Sequence, residues 1–132
     1  MKHPRTRVWE SKLSEMINDL DDLLEDKFGK RYRLHPVRPE RGKTSSKIHD
    51  GLFSVVANFS LGAGSEYGKG YVVDVHFATL DKIDKKDVDA VEKETIAFLK
   101  KKIPVFFPGK KLHVGRDNNV IKIHGDLSLG EV

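Results

Sequence analysis

The residues best placed by type and spacing to do chemistry are Asp74 and His76. They stand two apart in an alternating apolar run, so on a strand both side chains point the same way. Ser54, in an earlier alternating run, is expected across from His76, which suggests a Ser-His-Asp relay. No strained nucleophile turn or oxyanion donor accompanies Ser54 in the sequence. With His35, His113 or His124 nearby, the same pair would offer nitrogen and oxygen ligands to zinc or another transition metal. Polar alternation is equally what a wetted sheet face requires, so no catalytic residue, metal or cofactor is assigned from it. A small hydrolase or metal-dependent enzyme using Asp74 and His76 stays an alternative, and the chain reads more readily as a non-enzyme.

Two glycine-bearing segments suggest phosphate loops and fail as motifs. Arg41-Gly42-Lys43-Thr44 resembles the end of a P-loop, but Val37 stands where the pattern needs its first glycine, and no helix is expected afterwards. Gly62, Gly64, Gly68 and Gly70 lie between two expected strands, and Tyr67 and Val73 occupy positions a dinucleotide fingerprint reserves for glycine. That segment reads as a hairpin tip.

Charge is the stronger signal. The formal net charge is +4 among 132 residues, and its distribution is uneven. Glu10 to Gly29 carries a net charge of −5, and Lys30 to Lys47 a net charge of +6. Arg31, Arg33, His35, Arg38, Arg41, Lys43 and Lys47 form the candidate anion-binding segment, with Thr44, Ser45 and Ser46 as added donors.

These residues must be positioned by a small set of elements. Trp9, Leu13, Met16, Ile17, Leu20, Leu23, Leu24 and Phe28 recur at helical spacing and predict a first helix over Arg7–Phe28, stopped by Gly29. A short strand is expected over Arg31–Val37, with Pro36 placing it at an edge or its end. Phe53, Val55, Ala57, Phe59 and Leu61 alternate along Leu52–Leu61, and Tyr71, Val73, Val75 and Phe77 along Gly70–Leu80. Asp84 is a good N-cap for a second helix over Lys85–Lys102, where Lys100, Lys101 and Lys102 suit the C-terminal dipole and Pro104 is the expected stop. A last hairpin pairs Lys111–Arg116 with Asn119–His124 around Asp117-Asn118, setting Leu112 and Val114 beside Ile123 and Ile121.

The expected fold is α+β: a two-layer domain of 132 residues with a mainly antiparallel five-stranded sheet, two helices on one face and the order αβββαββ. Residues 1–6 and 125–132 are expected to be flexible ends. Parity then puts Arg31, Arg33, His35, Ser54, Asn58, Asp74, His76, Lys111, His113, Lys122 and His124 on the open face, which carries no aromatic ring.

No cysteine is present, which excludes disulfides and thiolate chemistry. No apolar h-region follows the basic start and no run has the length of a membrane span, so a cytoplasmic protein without membrane contact is expected. The leading function is a non-enzymatic binding domain for nucleic acid or another phosphate-bearing ligand. It would use the basic loop and the open sheet face through Arg31, Arg33, His35, Arg38, Arg41, Lys43, Lys47, His76, His113 and Lys122. The rival is a protein-interaction or chaperone-like module, homodimeric or bound to a protein partner. The element order is similar to that of type III secretion chaperones, although this chain is basic and lacks their final helix.

Overall fold

The computed structural model describes residues 4–44, 49–61, 68–117 and 120–125. Six elements follow in chain order: α1 (Pro4–Phe28), β1 (Phe53–Ser60), β2 (Gly70–Phe77), α2 (Lys85–Phe106), β3 (Leu112–Asp117) and β4 (Val120–Gly125). The four strands form one antiparallel sheet in the order β1-β2-β4-β3. Pairing of β2 with β4 spans only Gly70–Val73 on β2. Lys47, the 62–67 tip and the 126–132 tail, for which the sequence raised expectations, lie outside the described residues.

Both helices cover the same sheet face. Phe53 and Val55 of β1, Val73 of β2, Val114 of β3, and Ile121 and Ile123 of β4 are buried against Trp9, Leu13, Met16, Ile17, Leu20, Leu24 and Phe28 of α1. Val91, Leu99 and Ile103 of α2 complete the layer. Each such side chain contributes about 1.5–3 kcal/mol by leaving water. The helices run antiparallel, because Trp9 near the start of α1 meets Phe107 just past α2, while Lys27 near the end of α1 pairs with Glu94.

Among the described residues the sheet has four strands, and Arg31–Val37, expected as a fifth, forms none. The segment Arg31–Val37 makes one backbone bond to the end of β2, from His35 N–H to the Ala78 carbonyl at 2.9 Å. Its side chains bind the start of α2 instead. Arg31 reaches Asp87 at 2.7 Å, the Tyr32 hydroxyl donates to Asp87 and accepts from the Asp84 N–H, and Arg33 reaches Asp81 at 2.9 Å. An Arg38 N–H to His35 carbonyl bond then turns the chain at Pro36. The segment is thus tied by side chains to acids at and just before the start of α2, and does not pair as a strand.

Other boundaries shift for identifiable reasons. α1 begins at Pro4, not Arg7; proline is pre-organised for a first helical turn, where its missing N–H has no partner to lose. α2 runs through Pro104 to Phe106. Pro104 is exposed, and its ring disturbs only the solvent side of the final turn, where the Phe107 N–H still bonds the Ile103 carbonyl at 2.8 Å. Asp84 occupies the N-cap position without a side-chain cap bond; its carbonyl receives the Asp87 and Val88 N–H groups. In the last hairpin Asp117 pairs with Val120 and Val114 with Ile123, so the register is offset from the expected one, and Asn118 of the expected turn lies outside the described residues. That slide changes each partner by two positions, which preserves the faces.

Candidate nucleic-acid interface

The basic segment after α1 has its charge largely met from within. Besides Arg31 and Arg33, Arg38 donates to the carbonyls of Asp50, Gly51 and Phe53 and to the Ser54 hydroxyl, bracing the entry to β1. Arg41 lies 2.7 Å from Asp21, 2.8 Å from Asp22 and 3.1 Å from Asp50, clamping the loop to α1. Burial pushes the Asp21 carboxyl up to about 6; Arg41 opposes this, and Glu25 and Asp22 add to it. Asp50 moves the other way. Burial alone would raise it, but the backbone N–H groups of Thr44 and Gly42, the Thr44 hydroxyl and Arg41 hold it below the usual carboxylate range. Lys43 is exposed and forms no ion pair with a described residue.

The uncovered sheet face has the expected parity but not the expected cationic character. Ser54 pairs with His76 and Val56 with Asp74 across β1 and β2, while His113 pairs with His124 and Gly115 with Lys122 across β3 and β4. His113 and His124 rings lie 5.6 Å apart. Arg31 and Arg33 are drawn to the α2 start, and His35 accepts from the Val37 N–H at 3.2 Å. Lys122 is on this face yet only 2% exposed: its stem crosses Gly70, and Nζ donates to the Gly68 carbonyl at 2.8 Å. A Cβ on Gly70 would meet the Lys122 stem at 3.0 Å and the Ile123 carbonyl at 2.4 Å, so glycine is required there. Among the described residues, no cluster of three or more His, Asp or Glu side chains can hold a metal ion. The Ser54 hydroxyl accepts from Arg38 at 3.0 Å.

A different concentration of positive charge emerges at one end of the molecule. Antiparallel packing brings the start of α1 beside the end of α2. Pairing of Gly70 with His124, and of Leu112 with Gly125, brings the base of the β1–β2 loop and the start of β3 to the same end. Arg7, Lys69, Lys100, Lys101, Lys102 and Lys111 therefore gather there, with His113 and His124 adjoining. None of those six cations forms an ion pair with a described residue, whereas Arg116, farther along β3, pairs with Glu92 at 3.1 Å. A usable sequence signal exists: no acid occurs between Thr95 and Arg116, a stretch with six Lys and Arg. It is easily read as helix-dipole complementarity alone.

Aromatic rings mark the same end on the helix side of the sheet. Trp9 lies 4.3 Å from Phe107 and 5.9 Å from Tyr71, and Tyr71 lies 5.5 Å from Phe59. Phe59 is 50% exposed, and Leu61 beyond it is 80% exposed. No helix of the described residues is long and apolar enough to cross a membrane.

A family model with the description "Uncharacterised protein" matches residues 4–125, and the chain belongs to that family. It is similar to a protein of Borreliella burgdorferi described as "Uncharacterized protein", with 38% identity over 117 residues, 89% of this chain and 91% of that protein. No solved structure matches the chain.

Proposed function

We propose that this member of the family is a binding domain for nucleic acid, which it engages through phosphates at the basic end of the molecule. The observation that carries the reading is the gathering of Arg7, Lys69, Lys100, Lys101, Lys102 and Lys111, without carboxylate partners among the described residues, from the ends of four elements. Ion pairs neutralise cations elsewhere, as with Arg31, Arg33, Arg41 and Arg116. A surface that leaves several cations unpaired is suited to an extended anion, whose phosphates displace condensed counterions as lysines approach. His113 and His124 border this surface and add ring hydrogen-bonding groups. Lys43, which is exposed, offers a secondary cationic contact.

The test is a titration of labelled RNA and DNA at several salt concentrations. Binding should weaken as salt rises, with a log–log slope equivalent to about three to six phosphates. Changing Lys100, Lys101 and Lys102 to glutamine should weaken binding and make the slope shallower by about two to three. Absence of binding at low salt, or binding indifferent to salt, argues decisively against this reading.

A further inference from the structure

We infer that the nucleic acid bound at this end is single-stranded, and that Phe59, supported by Tyr71, stacks an unpaired base. The inference rests on the nucleic-acid reading above and specifies its substrate class. Phe59 is the only aromatic side chain among the exposed large hydrophobic residues of the described chain. It sits on edge strand β1, paired with Tyr71, which stands two residues from Lys69 of the cationic cluster. The Phe59 and Tyr71 planes meet at 69°, so this edge contact occupies at most one side of the Phe59 ring. Trp9 backs Tyr71, and Phe107 backs Trp9, which anchors the pair to the core. A half-exposed ring on a rigid support, beside unpaired cations, combines the two elements of single-strand recognition: a stacking surface and a path for the backbone. A base paired within a duplex presents its edges in a groove and keeps its faces stacked on its neighbours, so Phe59 has no access to them.

The rival chemistry is an anionic lipid surface, since Val8, Leu61 and Val105 are also exposed near this end. Interfacial membrane binding draws on a continuous apolar helix face. Here the apolar faces of α1 and α2 lie in the core, and the exposed apolar side chains come singly from different elements. That separation favours bases, which are taken one at a time.

The experiment compares the full chain with Phe59→Ala, Phe59→Leu and Phe59→Trp variants. Each is titrated with fluorescent single-stranded RNA of about 20 nucleotides, with the matching duplex, and with vesicles rich in phosphatidylserine. The parent should bind the single strand at least about fivefold more tightly than the duplex, and Phe59→Ala should weaken single-strand binding about tenfold while changing duplex binding less than about twofold. Phe59→Leu should resemble Phe59→Ala because it keeps apolarity but loses the ring, and Phe59→Trp should retain binding. Circular dichroism establishes that each variant is folded. Equal binding of single strand and duplex, untouched by Phe59→Ala, overturns the inference and leaves the phosphate reading intact. Failure of both nucleic acids to bind at low salt overturns both. Binding of vesicles alone, sensitive to Phe59→Ala, assigns the end to a membrane surface and overturns both as well.

Discussion

The Arg41 guanidinium lies 2.7 Å from Oδ1 of Asp21, yet neither Asp21 oxygen has a directed hydrogen bond among the described residues. The carboxylate is only 1% exposed, which is why burial outweighs the neighbouring cation and sets its pKa at about 6.

Stability should therefore fall as pH rises through about 6. A carboxyl whose folded pKa exceeds its unfolded value of 3.8 contributes stability fully present below 3.8 and lost as pH rises through the folded value. Asp21→Asn should remove this dependence and gain on the parent by about 2–3 kcal/mol between about pH 4 and pH 7, read from urea unfolding at each pH. Asp50 acts with the opposite sign: its lowered pKa gives stability above 3.8 that is lost as pH falls through the folded value. The two windows do not coincide, and parallel pH profiles for parent and Asp21→Asn would refute the assignment.

Glu25 should matter through the backbone it receives. Its two carboxylate oxygens accept the N–H groups of Leu52 at 2.9 Å and Phe53 at 3.3 Å, at the point where the chain enters β1. Glu25→Ala should cost about 2–3 kcal/mol and Glu25→Gln distinctly less, because glutamine keeps one acceptor. Amide exchange at Leu52 should accelerate in the alanine variant before exchange in the core of α1 does.

Lys122 combines a buried apolar stem with a directed bond from Nζ to the Gly68 carbonyl. Lys122→Met retains the packing against Gly70 and loses the hydrogen bonding of Nζ, including the bond to Gly68, so its cost should be about 1 kcal/mol, less than that of truncation. Lys122→Ala opens a void and should cost about 2 kcal/mol or more. Equal unfolding free energies for the two variants would place the main effect in the charge rather than the stem.

Pro104→Ala should raise stability by about 1 kcal/mol. Position 104 is inside α2, where proline cannot donate to the Lys100 carbonyl and has poor helix propensity. The greater freedom of alanine in the unfolded chain offsets part of the gain. Thermal unfolding with a lower midpoint for the variant would contradict this.

Much of the fold is visible in the order of residues. The alternation of Phe53, Val55 and Ala57, and of Val73 and Val75, survives as the helix-facing side of the sheet, because one face had to be buried. The helical periodicity from Trp9 to Phe28 survives for the same reason. Arg31–Val37 misleads because its competing partners, Asp81 and Asp87, lie about fifty residues later, and only the antiparallel helices bring them near. The same distance hides the neutralisation of Arg31 and Arg33, whereas Arg38 and Arg41 meet partners nearer in sequence, at residues 50–54 and at Asp21, Asp22 and Asp50. The cationic end is partly legible in the acid-free stretch from Thr95 to Arg116. Its union with Arg7 and Lys69 requires knowing that β2 pairs with β4 and that α1 and α2 run in opposite directions. Periodicity reports a residue's immediate face; it carries no information on which distant ends will meet.

The short pairing of β2 with β4 leaves the sheet with a third edge in addition to those of β1 and β3. From Asp74 to Phe77, β2 is laddered to β1 alone among the described strands. At about 3.3 Å per residue this notch is about 13 Å long, ample for an extended segment to seek main-chain bonds. Asp74 and His76, exposed along it, place polar groups where an apolar pair would invite edge-to-edge association. Their contribution is then colloidal: Asp74→Val with His76→Val should leave the fold in place and lower the concentration at which the protein begins to aggregate, measured by light scattering.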